Sequence, residues 1–150
     1  MSYTLQAIVG FQEVLRSAAS EGVVTVALTD ILRMVPLTSQ VRKHHDIPFL
    51  PLTDDGVEVL PKSIDLLCRK LSRHGLIAYI EAEFFGGSGE QGHALFKDGV
   101  ALGSPVIAKD AINQALRYLG IVPGSHHDEF AAVGLGRFRD MDDWTSGAKS

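Results

Sequence analysis

Glu81-Ala82-Glu83 places two carboxylates two residues apart in a run of aromatic and β-favouring residues, Tyr79 to Phe85, and Gly86-Gly87-Ser88-Gly89 follows at once. Side chains alternate between the faces of an extended strand, so Glu81 and Glu83 project the same way, about 6.6–7 Å apart. Glycoside hydrolases work with carboxyls about 5–9.5 Å apart. Here both groups point the same way from one strand rather than flanking a bond, and any Glu-x-Glu strand produces this spacing. Two readings stand. In one, Glu81 or Glu83 is a catalytic general base with a histidine nearby. In the other, Tyr79, Glu81, Glu83 and Phe85 form an ordinary strand face, either a polar groove or a solvated surface with cross-strand ion pairs. If the glutamates are partly buried, desolvation and like-charge repulsion raise one of their pKa values.

The glycines do not complete a catalytic motif. A phosphate loop requires a lysine and a following helix, and a Gly-x-Ser-x-Gly elbow requires glycine where Glu90 stands. Gly86 and Gly87 read instead as a hairpin loop or bulge, or as the rim of a binding site. His-His-Asp occurs twice, at 44–46 and 126–128. Adjacent side chains diverge and no His-Glu-x-x-His pair is present, so no metal site is assigned and no cofactor is expected. Arg137-Phe138-Arg139-Asp140-Met141-Asp142-Asp143-Trp144 mixes both charges with an aromatic anchor. It reads as a self-neutralising cluster that ties the tail down, or as a protein-contact patch built on Arg137, Arg139 and Trp144.

These residues need a scaffold, and the chain is long enough for one: a domain of 150 residues buries about 68–70% of its unfolded surface. Acidic side chains outnumber basic ones, 18 to 14, for a net charge of −4, which argues against a nucleic-acid partner. The single cysteine, Cys68, closes no internal bridge and lies on a helical apolar stripe, so it reads as a buried structural thiol in a reducing cytoplasm. No basic leader region opens the chain and no segment reaches the ~18 apolar residues of a membrane span.

The expected elements begin with a strand over 3–9 that ends at Gly10. A helix with its stripe at Phe11, Val14, Leu15, Ala18 and Ala19 follows and stops at Gly22. Val23–Thr29 reads as a buried strand. Pro36, Pro48 and Pro51 weaken the next region to a short helix over Ser39–His44 and an extended or edge segment over Ile47–Leu52. Ile64, Leu67, Cys68 and Leu71 predict a helix from Pro61 to Gly75. Strands then follow over 76–85, 92–97 and within 100–107, with Asp98-Gly99 as a tight hairpin turn. Alternation puts Ala78, Ile80, Ala82 and Phe84 on the core face of 76–85 and Ile77, Tyr79, Glu81, Glu83 and Phe85 on the other. Asp110 is placed to cap a helix running to Gly120, and a helical turn falls at 128–133. Phe130, Val133, Leu135, Phe138 and Trp144 are expected to pack back on the domain, leaving 145–150 as a flexible tail. The fold class is a single α+β domain over 1–144, with three main helices on a mixed, mainly antiparallel sheet; a doubly wound α/β fold is the alternative.

Together, the opening "YTLQAIVG", the "EAEFFGG" strand and the closing "DEF…GLGR…DW" segment resemble a family of small bacterial proteins of about this length in which the strand and the closing segment recur. No activity is established for that family, so the resemblance implies no catalytic residue. Two functions remain: a non-enzymatic cytoplasmic module that binds another protein, regulatory or immunity-like, as monomer or homodimer; or a small hydrolase. The first is preferred because no nucleophile, metal shell or oxyanion site accompanies the glutamates.

Overall fold

The computed structural model describes residues 2–85 and 88–146. Three strands of ten residues, β1 (Ser2–Phe11), β4 (Leu76–Phe85) and β5 (Ser88–Lys97), form the centre of the sheet. On one side of β1 lie β3 (Leu32–Pro36) and then β2 (Val26–Ala27). On the far side of β5, β6 (Val100–Ala101) and β7 (Val106–Ala108) pair with its two halves. Every ladder among the described residues is antiparallel; the parallel contact is an isolated bridge between Thr4 and Asp140. The fold is thus α+β, as the strand pattern predicts.

The alternation read from 76–85 sorts two hydrophobic clusters rather than a core and a solvated face. On one face Leu5, Ala7, Val9, Ala78, Ile80 and Ala82 meet Ile112, Ala115 and Leu116 of α3 (Ala111–Tyr118). Val133, Leu135, Met141 and Trp144 of the closing segment complete that side. On the other face Ile8, Ile77, Tyr79 and Phe96 meet Ile64, Leu67, Cys68 and Leu71 of α2 (Lys62–Leu71), with Leu15, Ile47, Leu52 and Leu60 around them. The expectation of an open odd-numbered face is therefore corrected. Tyr79 and Glu81 are fully buried, because the irregular segment 47–60 folds over that face.

Other departures have local causes. Residues 11–22 form a 3-10 turn over Leu15–Glu21 rather than a full α-helix. The Ser20 hydroxyl donates to the Ser17 carbonyl at 2.7 Å, a local bond that competes with helical geometry. Gly22 still ends it in the left-handed region, at φ 76°. Val23–Thr29 is not a buried strand: only Val26–Ala27 pair, at the sheet's outer edge, and Val24 is exposed. The adjoining strand is β3, with Pro36 at its last position, where a missing N–H is tolerated. Ser39–His45 forms α1, capped by the Thr38 hydroxyl.

The Asp98-Gly99 turn has φ of 53° and 85°, the positive pair such a turn needs. Asp110 precedes α3 without capping it; its carboxylate instead accepts from Gln114 Nε2 at 2.8 Å. Asp128 does cap the short α4 (Glu129–Ala132) through the Ala131 N–H. The closing segment ends in α5 (Asp143–Ser146), a turn that extends past Trp144, where the sequence places the domain boundary; residues 147–150 lie outside the described ones.

Gly89 pairs with Phe84 near the outer end of the β4–β5 ladder. A Cβ there would fall on the Glu83 carbonyl oxygen and 2.9 Å from the Phe84 Cα, both parts of the backbone that cannot swing aside. Gly89→Ala is expected to destabilise the chain by about 1–3 kcal/mol, read as a lower denaturant midpoint with an unchanged slope.

Candidate functional site

Pro48 and Pro51 lack backbone N–H groups, and Leu50 sits at φ 46°, so residues 47–53 run over the sheet without joining it. The N–H and C=O groups they bury still require partners. Side chains of β1 and β4 supply them. Gln6 Nε2 donates to the Pro48 carbonyl and to the Tyr79 hydroxyl, both at 2.9 Å, while Leu50 N–H donates to Gln6 Oε1 at 3.4 Å. Glu81 accepts from Leu52 N–H at 3.2 Å, from Thr53 N–H at 2.8 Å and from the Thr53 hydroxyl at 3.0 Å. The Tyr79 hydroxyl donates to Glu81 Oε2 at 2.5 Å. Tyr79 reaches Glu81 because i and i+2 side chains of a strand share a face, and Gln6, which pairs with Glu81 across the ladder, lies on that face within reach of the Tyr79 hydroxyl.

Burial raises the Glu81 pKa more than these donors lower it. Burial, then the Glu81 charge, holds the Tyr79 phenol well above its ordinary value. None of the ion pairs among the described residues includes Glu81. A carboxylate enclosed in this way by four donors fastens a loop, and none of the four described clefts opens onto it.

Glu83 lies farther out on β4 and is half-buried. Its direct cross-strand neighbour is Glu90, and the Asp54 carboxyl stands within hydrogen-bonding reach. Desolvation and then Asp54 raise the Glu83 pKa. Phe85 beyond it is 61% exposed, and Gly86 and Gly87 lie outside the described residues. The nearest strand histidine, His93, pairs with Ile80 and so projects from the opposite face, toward Gln114 of α3 at 3.3 Å. Glu81 and His93 therefore do not converge.

Arg137, Arg139 and Trp144 belong to that opposite side. Trp144 is 3% exposed. Arg137 stacks over its ring at 5.0 Å and donates to the carbonyls of Leu28, Val133 and Gly134 at 2.9, 3.2 and 3.0 Å. Arg139 is exposed, and its carbonyl accepts from Thr4 N–H at 2.8 Å. The tail is thus anchored through backbone and ring contacts and through the Asp142 carboxylate, which accepts from the Ser39 N–H and hydroxyl, both at 2.8 Å. His44, His126 and His127 are exposed, and no group of three or more His, Cys, Asp or Glu side chains among the described residues can hold a metal ion. Cys68 is fully buried, and burial pushes its thiol pKa up.

Sequence reasoning misses Gln6, Thr53, Asp54 and Glu90. Gln6 carries a usable signal: an amide inside the apolar run "LQAIV" must find a partner if the strand is central. The chain matches no known protein family, curated protein or solved structure. No helix among the described residues is long and apolar enough to cross a membrane.

Glu81→Gln sets an amide NH2 against the N–H of Leu52 or of Thr53, and is expected to cost about 1–3 kcal/mol near pH 5. The sign of the pH dependence follows from the raised pKa. The folded chain keeps the Glu81 proton to higher pH than the unfolded chain, whose value is near the ordinary 4.5. The stability contributed by that group is complete below this value and declines as pH rises through the elevated folded value. Urea titrations of both proteins between pH 4.5 and about pH 8 should show the gap narrowing; a gap that widens with pH contradicts the shift.

Proposed function

We propose that the protein is a non-enzymatic cytoplasmic module, regulatory or immunity-like, that binds another protein by presenting the outer end of the β4–β5 hairpin to a basic surface. The observation carrying this reading is the juxtaposition of Glu83 and Glu90, direct cross-strand neighbours with Asp54 against Glu83. Like charges in that position repel, and none of the ion pairs among the described residues relieves them. The three carboxyls do not converge as a metal shell. A lysine- or arginine-rich patch on a partner would neutralise them, and the neighbouring exposed Phe85 would contribute an aromatic anchor. The buried free thiol of Cys68 supports a reducing compartment. The acidic balance supports a protein rather than a nucleic acid as partner. Kinship with the small bacterial proteins that share the strand and the closing segment belongs to the same reading and adds no activity.

Replacing Phe85 with a photoreactive phenylalanine analogue in the source cell tests it. The expected result is one discrete adduct with a basic protein, its yield lowered by added salt, by Glu83→Lys with Glu90→Lys, and by a fall in pH through the raised Glu83 value. Absence of an adduct, or an adduct only with a second copy of this chain, overturns the proposal.

A further inference from the structure

Beyond that reading, we propose that a cleft at the opposite end of β1 binds a carboxylate carrying an apolar chain. The cleft is open to solvent and offers about 470 Å³ between the 3-10 turn, residues 23–25 and β3, within the range of about 300–1,000 Å³ usual for small-ligand sites. Exposed Ala19 and Val24 give its accessible apolar lining, over buried Leu15, Ala18 and Val23. Two guanidiniums, Arg16 and Arg33, also line it.

In a chain with net charge −4, neither arginine takes part in any of the four ion pairs among the described residues. Arg33 is already oriented: its Nε donates to Thr25 Oγ1 at 2.7 Å and one Nη to the Thr25 carbonyl at 3.1 Å. That leaves N–H donors of a fixed planar fork for a ligand. A guanidinium held in this way loses little rotamer freedom on binding and matches a carboxylate's paired oxygens. Arg16 is exposed on the 3-10 turn and adds a second positive charge to the lining. The combination of cationic groups and an aliphatic lining selects an anion with an apolar body over a bare inorganic ion or a neutral hydrocarbon. Free aliphatic acids and the C-terminal carboxylate of an apolar peptide both present that chemistry.

The site lies about 30 Å from the hairpin end, from the rise per residue along β1, so each proposal fails or stands without the other. Amide NMR titration of the whole chain tests this one with four probes: octanoate, octan-1-ol, and an apolar tetrapeptide with a free or an amidated C-terminus. Saturable shifts at Arg16, Val23 and Thr25 are expected with an acid and not with its neutral counterpart. A response to octanoate alone or to the free peptide alone supports the site and names its source. Arg33→Gln and Arg16→Gln should each weaken binding about tenfold or more; Arg16 is exposed, so its variant reads the charge even if the Arg33 variant unfolds. No saturable response to either acid, an equal response to octan-1-ol, or unchanged affinity in Arg16→Gln overturns the proposal.

Discussion

The constraint on which the rest of this structure depends is the hydrogen-bond demand of residues 47–53. Two prolines and a left-handed leucine keep that segment out of the sheet, yet it must cross the sheet to bury Leu50 and Leu52. Buried backbone groups without partners cost about 1–3 kcal/mol each. The Gln6 amide and the Glu81 carboxylate replace the missing ladder, and the Tyr79 hydroxyl links the two. The opposing strand adapts as well. Gly92 pairs with Glu81, and a Cβ on Gly92 would stand 3.1 Å from the Leu52 side chain. A polar cluster that resembles a catalytic pair in sequence is thus the fastening that lets an irregular segment serve as the second covering of the sheet.

The other covering is fastened differently. Tyr3 stacks on Phe84 and meets Phe130 edge-on, each at 5.6 Å between ring centres, while its hydroxyl donates to the Leu135 carbonyl at 2.8 Å. Arg117 of α3 pairs with Glu129 at 2.8 Å, and this bond lowers the Glu129 pKa. Ser39, at the start of α1, holds Asp142 through its backbone N–H and its hydroxyl, both at 2.8 Å. The closing "DEF…GLGR…DW" segment is therefore a strap over one sheet face, with Asp128 as a helix cap, Glu129 as an ion-pair partner and Arg137 as a carbonyl clamp.

Sequence legibility follows locality. The Asp98-Gly99 turn, the α2 and α3 stripes and the alternation of 76–85 depend on neighbours a few residues apart, and the structure contains each of them. Whether the odd face of β4 is wet or dry depends on a segment about thirty residues earlier whose proline pattern reads as mere irregularity, so Tyr79 and Glu81 are misread as a surface. Val23–Thr29 has the composition of a buried strand, but composition does not state where in the sheet a strand lies, and this one lies at the edge. At the hairpin end, Glu83 is legible and its neighbours are not: Glu90 enters through the β4–β5 register, and Asp54 through the fold of the loop.

The distribution of strand lengths has a bearing on how this chain behaves among copies of itself. Of the three long strands, β1 and β4 carry the β-branched and aromatic residues and lie inside the sheet, while β2, β6 and β7, of two, two and three residues, pair along its outer sides. An exposed edge templates intermolecular pairing in proportion to the run of free backbone groups it offers. Here the outermost strands are two or three residues long, which limits the run of free backbone groups that another copy of the sheet could pair with.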